Sequence, residues 1–375
     1  VQGSDYSYTI NGWIKSNNGN ILNSEIEMGR DGSESKVYNS QTTNIHKNYG
    51  QDAYGYSIGY FDNDYSAIDA SKNGFFNSIS NITTTGYNQN LGNNLYNGNI
   101  RHMATALMDE NERAIDNIAT FYNYDQLNRI TGMKAYLGAD YLNALENGDY
   151  ATSYDYDANG NLLTLNRNAD GTNQAMDNFT YNYIVGTNKL EYVGDLSANT
   201  GNWTEDIDDQ TANFGTSYNY KYSPIGELIE DEAEGIKDIQ WRWSDSKIKK
   251  ITRTNDGNQV EFKYDAFGNR VLKIVKPTTA GIPGPETTWT ITHYVRDASG
   301  NVMAIYDEAV NATDRLLKQA ETNIFGSSRL GINKLDKLVA KHNISANSTT
   351  NYTPLNAGRT IGNKFYELSN HLGNV

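Results

Sequence analysis

The sequence contains no cysteine. Disulfides and thiolate metal centres are therefore excluded, and redox chemistry says nothing about the compartment. Proline is scarce, with 5 residues in 375, and hydrophobic residues make up only 37%, short of what a conventional globular core uses. No apolar run approaches the length of a membrane span. Nucleophile-elbow, zinc-protease, phosphate-loop and EF-hand patterns are all missing. Positive charge is also short: 31 Lys and Arg face 45 Asp and Glu, a formal net charge of −14. Such a field repels phosphate, which argues against nucleic acid and anionic membranes as partners.

What fills the gap is tyrosine, with 28 copies against 10 Phe and 5 Trp. Tyrosine buries a large face while its hydroxyl stays wet or finds a partner, so it can build a half-polar wall from few aliphatic residues. There are also about 50 Asn and 33 Gly, residues that tolerate positive φ and mark turns. The aromatic content argues against disorder.

One pattern recurs. Tyr156-Asp157-Ala158-Asn159-Gly160-Asn161-Leu162-Leu163 is matched by Tyr264-Asp265-Ala266-Phe267-Gly268-Asn269-Arg270-Val271. Tyr222-Ser223-Pro224-Ile225-Gly226-Glu227-Leu228 is a degenerate copy, and Tyr124-Asp125-Gln126-Leu127-Asn128-Arg129-Ile130 has Asn where the others have Gly. Arg296-Asp297-Ala298-Ser299-Gly300-Asn301-Val302 and Ser369-Asn370-His371-Leu372-Gly373-Asn374-Val375 keep the second half of the unit. The common core is a small polar residue, two free positions, Gly or Asn, a polar residue and an aliphatic one. Asp, Asn or Ser opening a type I turn bonds its own backbone two residues on, and Gly at the fourth position takes the left-handed conformation. Each unit therefore reads as a hairpin tip. The tip residues are Asp125 and Asn128, Asp157 and Gly160, Ser223 and Gly226, Asp265 and Gly268, Asp297 and Gly300, and Asn370 and Gly373.

Period-two flanks such as Tyr218, Tyr220 and Tyr222 read as strands. Further hairpins are expected at Asp256-Gly257, at Gly186-Thr187-Asn188 and, on a weaker signal, at Asn18-Gly19. Helical periodicity survives only in 105–119 and 334–341. Residues 1–118 form a less repetitive part, a divergent opening or lateral insertion, and the hairpin units dominate 119–375. Exposed loops are expected at 276–286, which holds three of the prolines, and at 343–356. The chain starts at Val1 without methionine and stops at Val375 inside a motif, so it is expected to be a truncated piece of something longer.

The Tyr-Asp-x-x-Gly-Asn units resemble the YD repeats of RHS proteins, and 294–306, 325–331 and 365–375 resemble the stretch leading into the RHS-associated core of bacterial members. The resemblance covers the chain from about residue 119, and 8–24 and 54–61 more loosely. It implies an all-β fold: a long strip of antiparallel β-hairpins spiralling into a hollow shell, here an incomplete segment. Related shells are those of Tc toxins, where bacterial members enclose a toxic C-terminal segment, and of animal teneurins, which serve adhesion. Self-cleavage in the family uses an Asp-Pro-x-Gly-type motif. This sequence has no Asp-Pro pair, so that activity is carried over to no residue. The resemblance also implies secretion or surface display, and the string ending in Asn370-His371-Leu372-Gly373-Asn374 is similar to a variant common in bacteria with type IX secretion.

Chemistry is otherwise thin. His46, His102, His293, His342 and His371 are scattered without metal-ligand spacing. The acidic cluster Glu205, Asp206, Asp208 and Asp209, and the smaller Asp62 with Asp64, could hold calcium. A solvated acidic loop is the more ordinary reading. Trp203, Trp241 and Trp243 could stack on sugars, although tryptophans alternating in a strand more often pack on the sheet. No cofactor is expected.

Two functions compete. The first is a structural, non-enzymatic shell of a secreted polymorphic-toxin-like protein, whose partners are the remainder of its own chain and secretion-system or surface proteins. The second is a surface adhesin or glycan-binding module using exposed Tyr and Trp.

Overall fold

The computed structural model describes residues 2–24, 28–32, 48–68, 94–109, 114–137, 143–144, 148–171, 175–197, 207, 209–211, 219–254, 257–311, 313–326, 328–352 and 362–369. Among these residues there is no α-helix, and the fold is all-β. An 11-stranded sheet begins with β1 (Tyr6–Tyr8), β2 (Ile14–Asn17), β3 (Tyr54–Gly59), β4 (His102–Met108), β5 (Ala114–Tyr124) and β6 (Ile130–Leu137). It continues through β7 (Asn143–Ala144), β8 (Thr152–Tyr156), β9 (Leu162–Asn168), β10 (Ala175–Tyr183) and β11 (Leu190–Asp195). Its order follows the chain from β1 to β11, with β7 paired beside β6.

A 12-stranded sheet holds β12 (Tyr220–Tyr222), β13 (Leu228–Asp231), β14 (Ile236–Trp241), β15 (Ile248–Arg253), β16 (Gln259–Tyr264) and β17 (Arg270–Lys276). After the small β18 (Thr278–Thr279) and β19 (Ile282–Pro283) ribbon it resumes with β20 (Thr290–Arg296), β21 (Val302–Asn311), β22 (Asp314–Phe325) and β23 (Arg329–Asn343). It ends in β24 (Ser348–Asn351) and β25 (Lys364–Tyr366), both paired to β23. Neither strand path returns to its start, so neither sheet closes into a barrel. Each runs as an antiparallel meander, the arrangement that short polar turns between alternating strands enforce. Residue 118, where the sequence becomes repetitive, lies inside β5, and the strand order passes through it without a break.

The chain divides into two compact units, one of 1–182, 193–209 and 369–374, the other of 183–192, 210–368 and 375. The first holds the best-buried core. Tyr56, Ile58, Tyr60 and Met103 pack with Trp13, Ile14, Tyr54, Phe61, Ile100 and Tyr122. A second cluster places Ala104 and Ala119 around Phe121, which meets Tyr136 edge-on at 5.2 Å. Tyrosine serves here because its hydroxyl can reach backbone: the Tyr60 hydroxyl donates to the Ile14 carbonyl at 2.9 Å. Beside this core, Lys15 and Asp64 form a buried ion pair at 2.7 Å. Desolvation lowers the Lys15 pKa against the opposing pull of Asp64. The His102 ring stacks near Phe121 and is held neutral, its pKa pushed down to about 3 by burial and then by Lys15 and Arg101.

The second unit is built differently. Most of its strand residues are half-buried whichever face they occupy, and its buried hydrophobic residues are Ile239, Ile274 and Ala304. Along one row Ile239, Ile251, Val260, Val275 and Thr290 face each other across successive strands. On the opposite face, Ile274 and Ile291 share a row with Glu261 and Glu308. Both faces carry mixed rows, the pattern of a sheet without a dedicated dry side.

Three expectations fail here and a fourth, the two exposed loops, holds in part, for identifiable reasons. The stretch 105–119 forms parts of β4 and β5, because pairing of Ala104 with Ala119 and of Thr105 with Ile118 outweighs the helix propensity of Ala, Leu, Met and Glu. The stretch 334–341 lies in β23. There Leu335 and Asp336 together oppose Ala320, with Asp336 at φ 42°, and Val339 is a second extra residue. Each bulge shifts the alternation by one, so apolar residues three apart share a face and mimic a helix. Asn18 and Gly19 have φ 56° and 82°, but no strand follows at 21–24. The Asn18 side chain instead joins Asp5, Gly3 and Tyr54. Finally, the loops expected at 276–286 and 343–356 contain the β18–β19 ribbon and the exposed β24.

Replacing Phe121 by alanine should destabilise the first unit by about 3–5 kcal/mol, the cost of a large cavity where neighbours cannot collapse. Urea unfolding followed by circular dichroism measures it, and a change below about 1 kcal/mol would contradict this packing.

Candidate functional site: the hairpin-tip ladder

Each tip is closed by its first residue. At Asp157, the backbone N–H bonds the Asn161 carbonyl at 2.9 Å and the carbonyl accepts from Gly160 at 3.1 Å. Its Oδ1 accepts the N–H groups of Asn159 and Asn161, both at 2.8 Å, and its Oδ2 takes the Asn161 side-chain amide at 2.7 Å. Asp265 repeats this with Phe267 and Asn269, and Asp297 with Ser299 and Asn301. At Asp125 the fifth residue is Arg129, whose Nε replaces the amide at 2.6 Å. Ser223 Oγ accepts the Glu227 N–H at 3.1 Å and donates to the Glu227 carboxylate at 3.3 Å, with Pro224 setting the turn. The fourth position has φ 62° at Asn128 and 90°, 95°, 81° and 90° at Gly160, Gly226, Gly268 and Gly300. The side chain of Asn128 is used as well, accepting from Asn97 and Asn99. Asn370 and Gly373 lie outside the described residues.

The residue before each tip reaches out of its own hairpin. The Tyr156 hydroxyl donates to the Ile130 carbonyl at 2.8 Å, Tyr222 to Leu190 at 2.9 Å and Tyr264 to Ile248 at 2.7 Å. Tyr124 does the same to Ile100 at 2.8 Å. For Tyr156, Tyr222 and Tyr264 the acceptor is the first residue of the strand after the preceding turn, and for Tyr124 it lies two residues before β4. Trp241 takes the tyrosine's place one hairpin on, its Nε1 donating to Leu228 at 2.7 Å, and Arg296 Nε donates to Arg270 at 3.1 Å.

A second set of contacts runs forward. Arg129 lies 4.7 Å over the Tyr156 ring and donates to the Asp157 carbonyl at 3.0 Å. Lys189 sits over Tyr222, and Lys247 over Tyr264 with its Nζ bonded to the Gly268 carbonyl. Three pairs of consecutive tips, 125–129 with 157–161, 184–189 with 223–227, and 242–247 with 265–269, are thus tied in both directions.

A bulge follows each tip on the return strand. Thr131, Leu163, Ile229, Val271 and Met303 are each the extra residue between two register pairs. Sequence reading missed the bulges and both sets of inter-hairpin bonds. The tyrosine at the position before Asp was the available signal for the backward bond. Lys or Arg closing a turn was the signal for the forward one.

The remaining candidates are placed as follows. Trp241 belongs to the ladder, while Trp243 lies in the 242–247 turn and is 98% exposed, so the two do not alternate in one strand. Asp62 pairs with Arg101 at 2.6 Å and Asp64 with Lys15. Of the acidic loop, Asp209 accepts the Asp195 N–H, and Glu205, Asp206, Asp208 and Trp203 lie outside the described residues. His293 contacts Glu308 at 2.9 Å and His342 contacts Thr349 at 2.9 Å, while His46 and His371 are outside the described residues. Among the described residues no group of three His, Cys, Asp or Glu could hold a metal ion.

The ladder titrates at both ends of the pH scale. Backbone donation leads in holding Asp125 and Asp265 below the usual carboxylate range, and the Asn301 side chain leads at Asp297. At Asp157 desolvation is the largest influence and raises the pKa, but the Asn161, Asn159 and Gly160 donors together outweigh it. Burial pushes Tyr124 up to about 12, with Tyr122 adding to it, and raises Tyr156, Tyr222 and Tyr264.

No family model and no curated protein matches the chain. Among solved structures, a chain of the Photorhabdus luminescens Tc holotoxin pore is similar at 10% identity and TM-score 0.24, over 89% of this chain and 19% of its own length. A crystal structure of TcdB2-TccC3-TEV gives 10% and 0.25 over 90% and 19%. TcdB2-TccC3 without its hypervariable C-terminal region gives 12% and 0.25 over 92% and 19%. The chain thus spans about a fifth of the length of these structures. The likeness is distant, and the function proposed below rests on the chain's own hairpins.

Gly268→Val should cost about 1–3 kcal/mol, since a β-branched residue is strained at φ 81°. Unchanged thermal unfolding of that variant would contradict the tip geometry. The depressed carboxylates contribute fully above their unfolded value of about 3.9 and lose that contribution as pH falls through their folded values. The raised tyrosines contribute fully below their unfolded value of about 10 and lose it as pH rises from there toward 12. Urea midpoints measured against pH should therefore fall off on both sides of that window.

Proposed function

We propose that this chain is a stretch of wall in an RHS/YD-type β-shell, a structural element of a large secreted or surface-exposed protein that encloses a C-terminal effector segment. The observation that carries it is the ladder: six hairpins are bonded to the one before by a Tyr, Trp or Arg side chain at one fixed position, the residue before the tip. An element bonded only to its sequence neighbours extends in one dimension, as repeat proteins do. The mixed, half-buried faces of the second unit support a wall with solvent or a bound segment on each side, instead of a layer sealed under another. In this reading the chain is not an enzyme, and its partner is the remainder of its own polypeptide. Export by a type IX-like route belongs to the same proposal and rests on the resemblance of 370–374 alone.

An adhesin or glycan-binding module is the second reading, favoured by the full exposure of Trp243. Protease protection separates the two. The full-length protein is digested alongside the isolated segment that follows residue 375. An enclosing wall predicts that the segment survives in the full-length protein and is degraded alone, and that Gly268→Val shortens its survival. Equal digestion rates in both would overturn enclosure.

A further inference from the structure

The turns 223–227, 242–247 and 265–269 lie on one border of the 12-stranded sheet, because each closes every second strand of its meander, and the β10–β11 turn 184–189 is joined to them by the bonds of Tyr222 to Leu190 and of Asn219 to Glu191. The ladder bonds make them consecutive neighbours. Each presents one large apolar side chain at its outermost position: Val185 at 96% exposure, Ile225 at 80%, Trp243 at 98% and Phe267 at 90%. Strands about 4.8 Å apart put successive tips roughly 10 Å apart. Just behind the apolar residues stand Lys189, Arg242 and Lys247, stacked on Tyr222 and Tyr264.

We propose that this row of tips is a lipid-interface contact, in which Val185, Ile225, Trp243 and Phe267 enter the boundary between headgroups and acyl chains. Apolar knobs separated by polar turns do not make the contiguous patch of a protein interface. A fluid boundary accepts them one at a time and closes around each. Tryptophan favours that depth, and Lys or Arg one step behind meets lipid phosphates. The net charge of the chain argues against such a surface only when taken as a whole. The first unit holds 10 Lys and Arg against 26 Asp and Glu, while the second, which bears the row, holds 21 against 19. Among the described residues no helix is long and apolar enough to cross a bilayer. The proposal does not depend on the enclosure of an effector segment, since lipid contact is assigned to the exposed Val185, Ile225, Trp243 and Phe267, which make none of the ladder bonds.

The test is flotation of the 375-residue protein with vesicles of phosphatidylcholine alone and with added phosphatidylserine, together with tryptophan emission. We expect co-flotation with both, stronger with phosphatidylserine at low salt, and a blue shift of emission. The variant Ile225→Ser/Trp243→Ser/Phe267→Ser should bind more than roughly tenfold more weakly, with an unchanged circular dichroism spectrum. Trp243→Ser alone should lose most of the blue shift, which keeps the test valid should the triple variant misfold. Absence of flotation at millimolar lipid, or flotation insensitive to Trp243→Ser, would overturn the proposal. So would a dimer of the unaltered protein in light scattering that the triple variant abolishes, since the row would then be a contact between protein chains.

Discussion

The hydroxyl of the tyrosine that ends each outgoing strand is the bond on which the rest of this structure depends. It satisfies the first carbonyl of a strand in the preceding hairpin, next to the bulge where the regular ladder shifts. A tip has three tasks at once: it must reverse the chain, satisfy its own amides, and hold its place beside its neighbour. The Asp-x-x-Gly core performs the first two within five residues. The residue before it performs the third toward the hairpin behind, and it must combine a long flat body with a donor at its far end. Tyr does so, Trp241 does so with its indole N–H, and Arg296 does so with its guanidinium. Phenylalanine has the body without the donor. This accounts physically for Tyr, and not Phe, at positions 124, 156, 222 and 264.

The same requirement explains how a sheet with few buried side chains remains ordered. In the second unit, hydrophobic burial is spread thinly over two faces, so no dry layer dominates. Ordering comes from area covered along each row, from cations lying on aromatic rings, and from ion pairs such as Lys276 with Glu261 and Arg315 with Glu308. Partly solvated pairs such as Arg315 with Glu308 contribute little singly. Bonded to a continuous sheet, they fix register, which is weakly specified wherever both faces are mixed. Bulges after the tips add twist at regular intervals.

How much of this can be read from sequence depends on how far each bond reaches. The turn clamp is local: Asp157 to Asn161 contains every atom of it, so spacing alone carries its meaning. The all-β fold is legible for the same reason, since alternation and turn residues recur along the whole length. The tie from Tyr156 to Ile130 spans 26 residues and that from Tyr222 to Leu190 spans 32, and no local window contains both partners. The helical periodicity of 334–341 is misleading because the bulges at Asp336 and Val339 sit on the strand itself, where a period of two is broken twice in five residues. Trp243 misleads differently: its spacing from Trp241 suggests one face of a strand, yet the turn begins between them.

A ladder tied in both directions also couples neighbouring hairpins energetically. Loss of the positive φ at one tip displaces the strand ends that carry a tyrosine donor to the tip behind and receive a cation from it, as Lys247 binds the Gly268 carbonyl while Tyr264 binds Ile248. A lesion at Gly268 therefore weakens the 242–247 turn as well as its own. Stability in such an array is a sum of hairpin terms and nearest-neighbour terms. With each hairpin too small to bury its own face, the neighbour terms decide whether the array is ordered. Ordering is then cooperative between neighbouring hairpins even where no single core spans them.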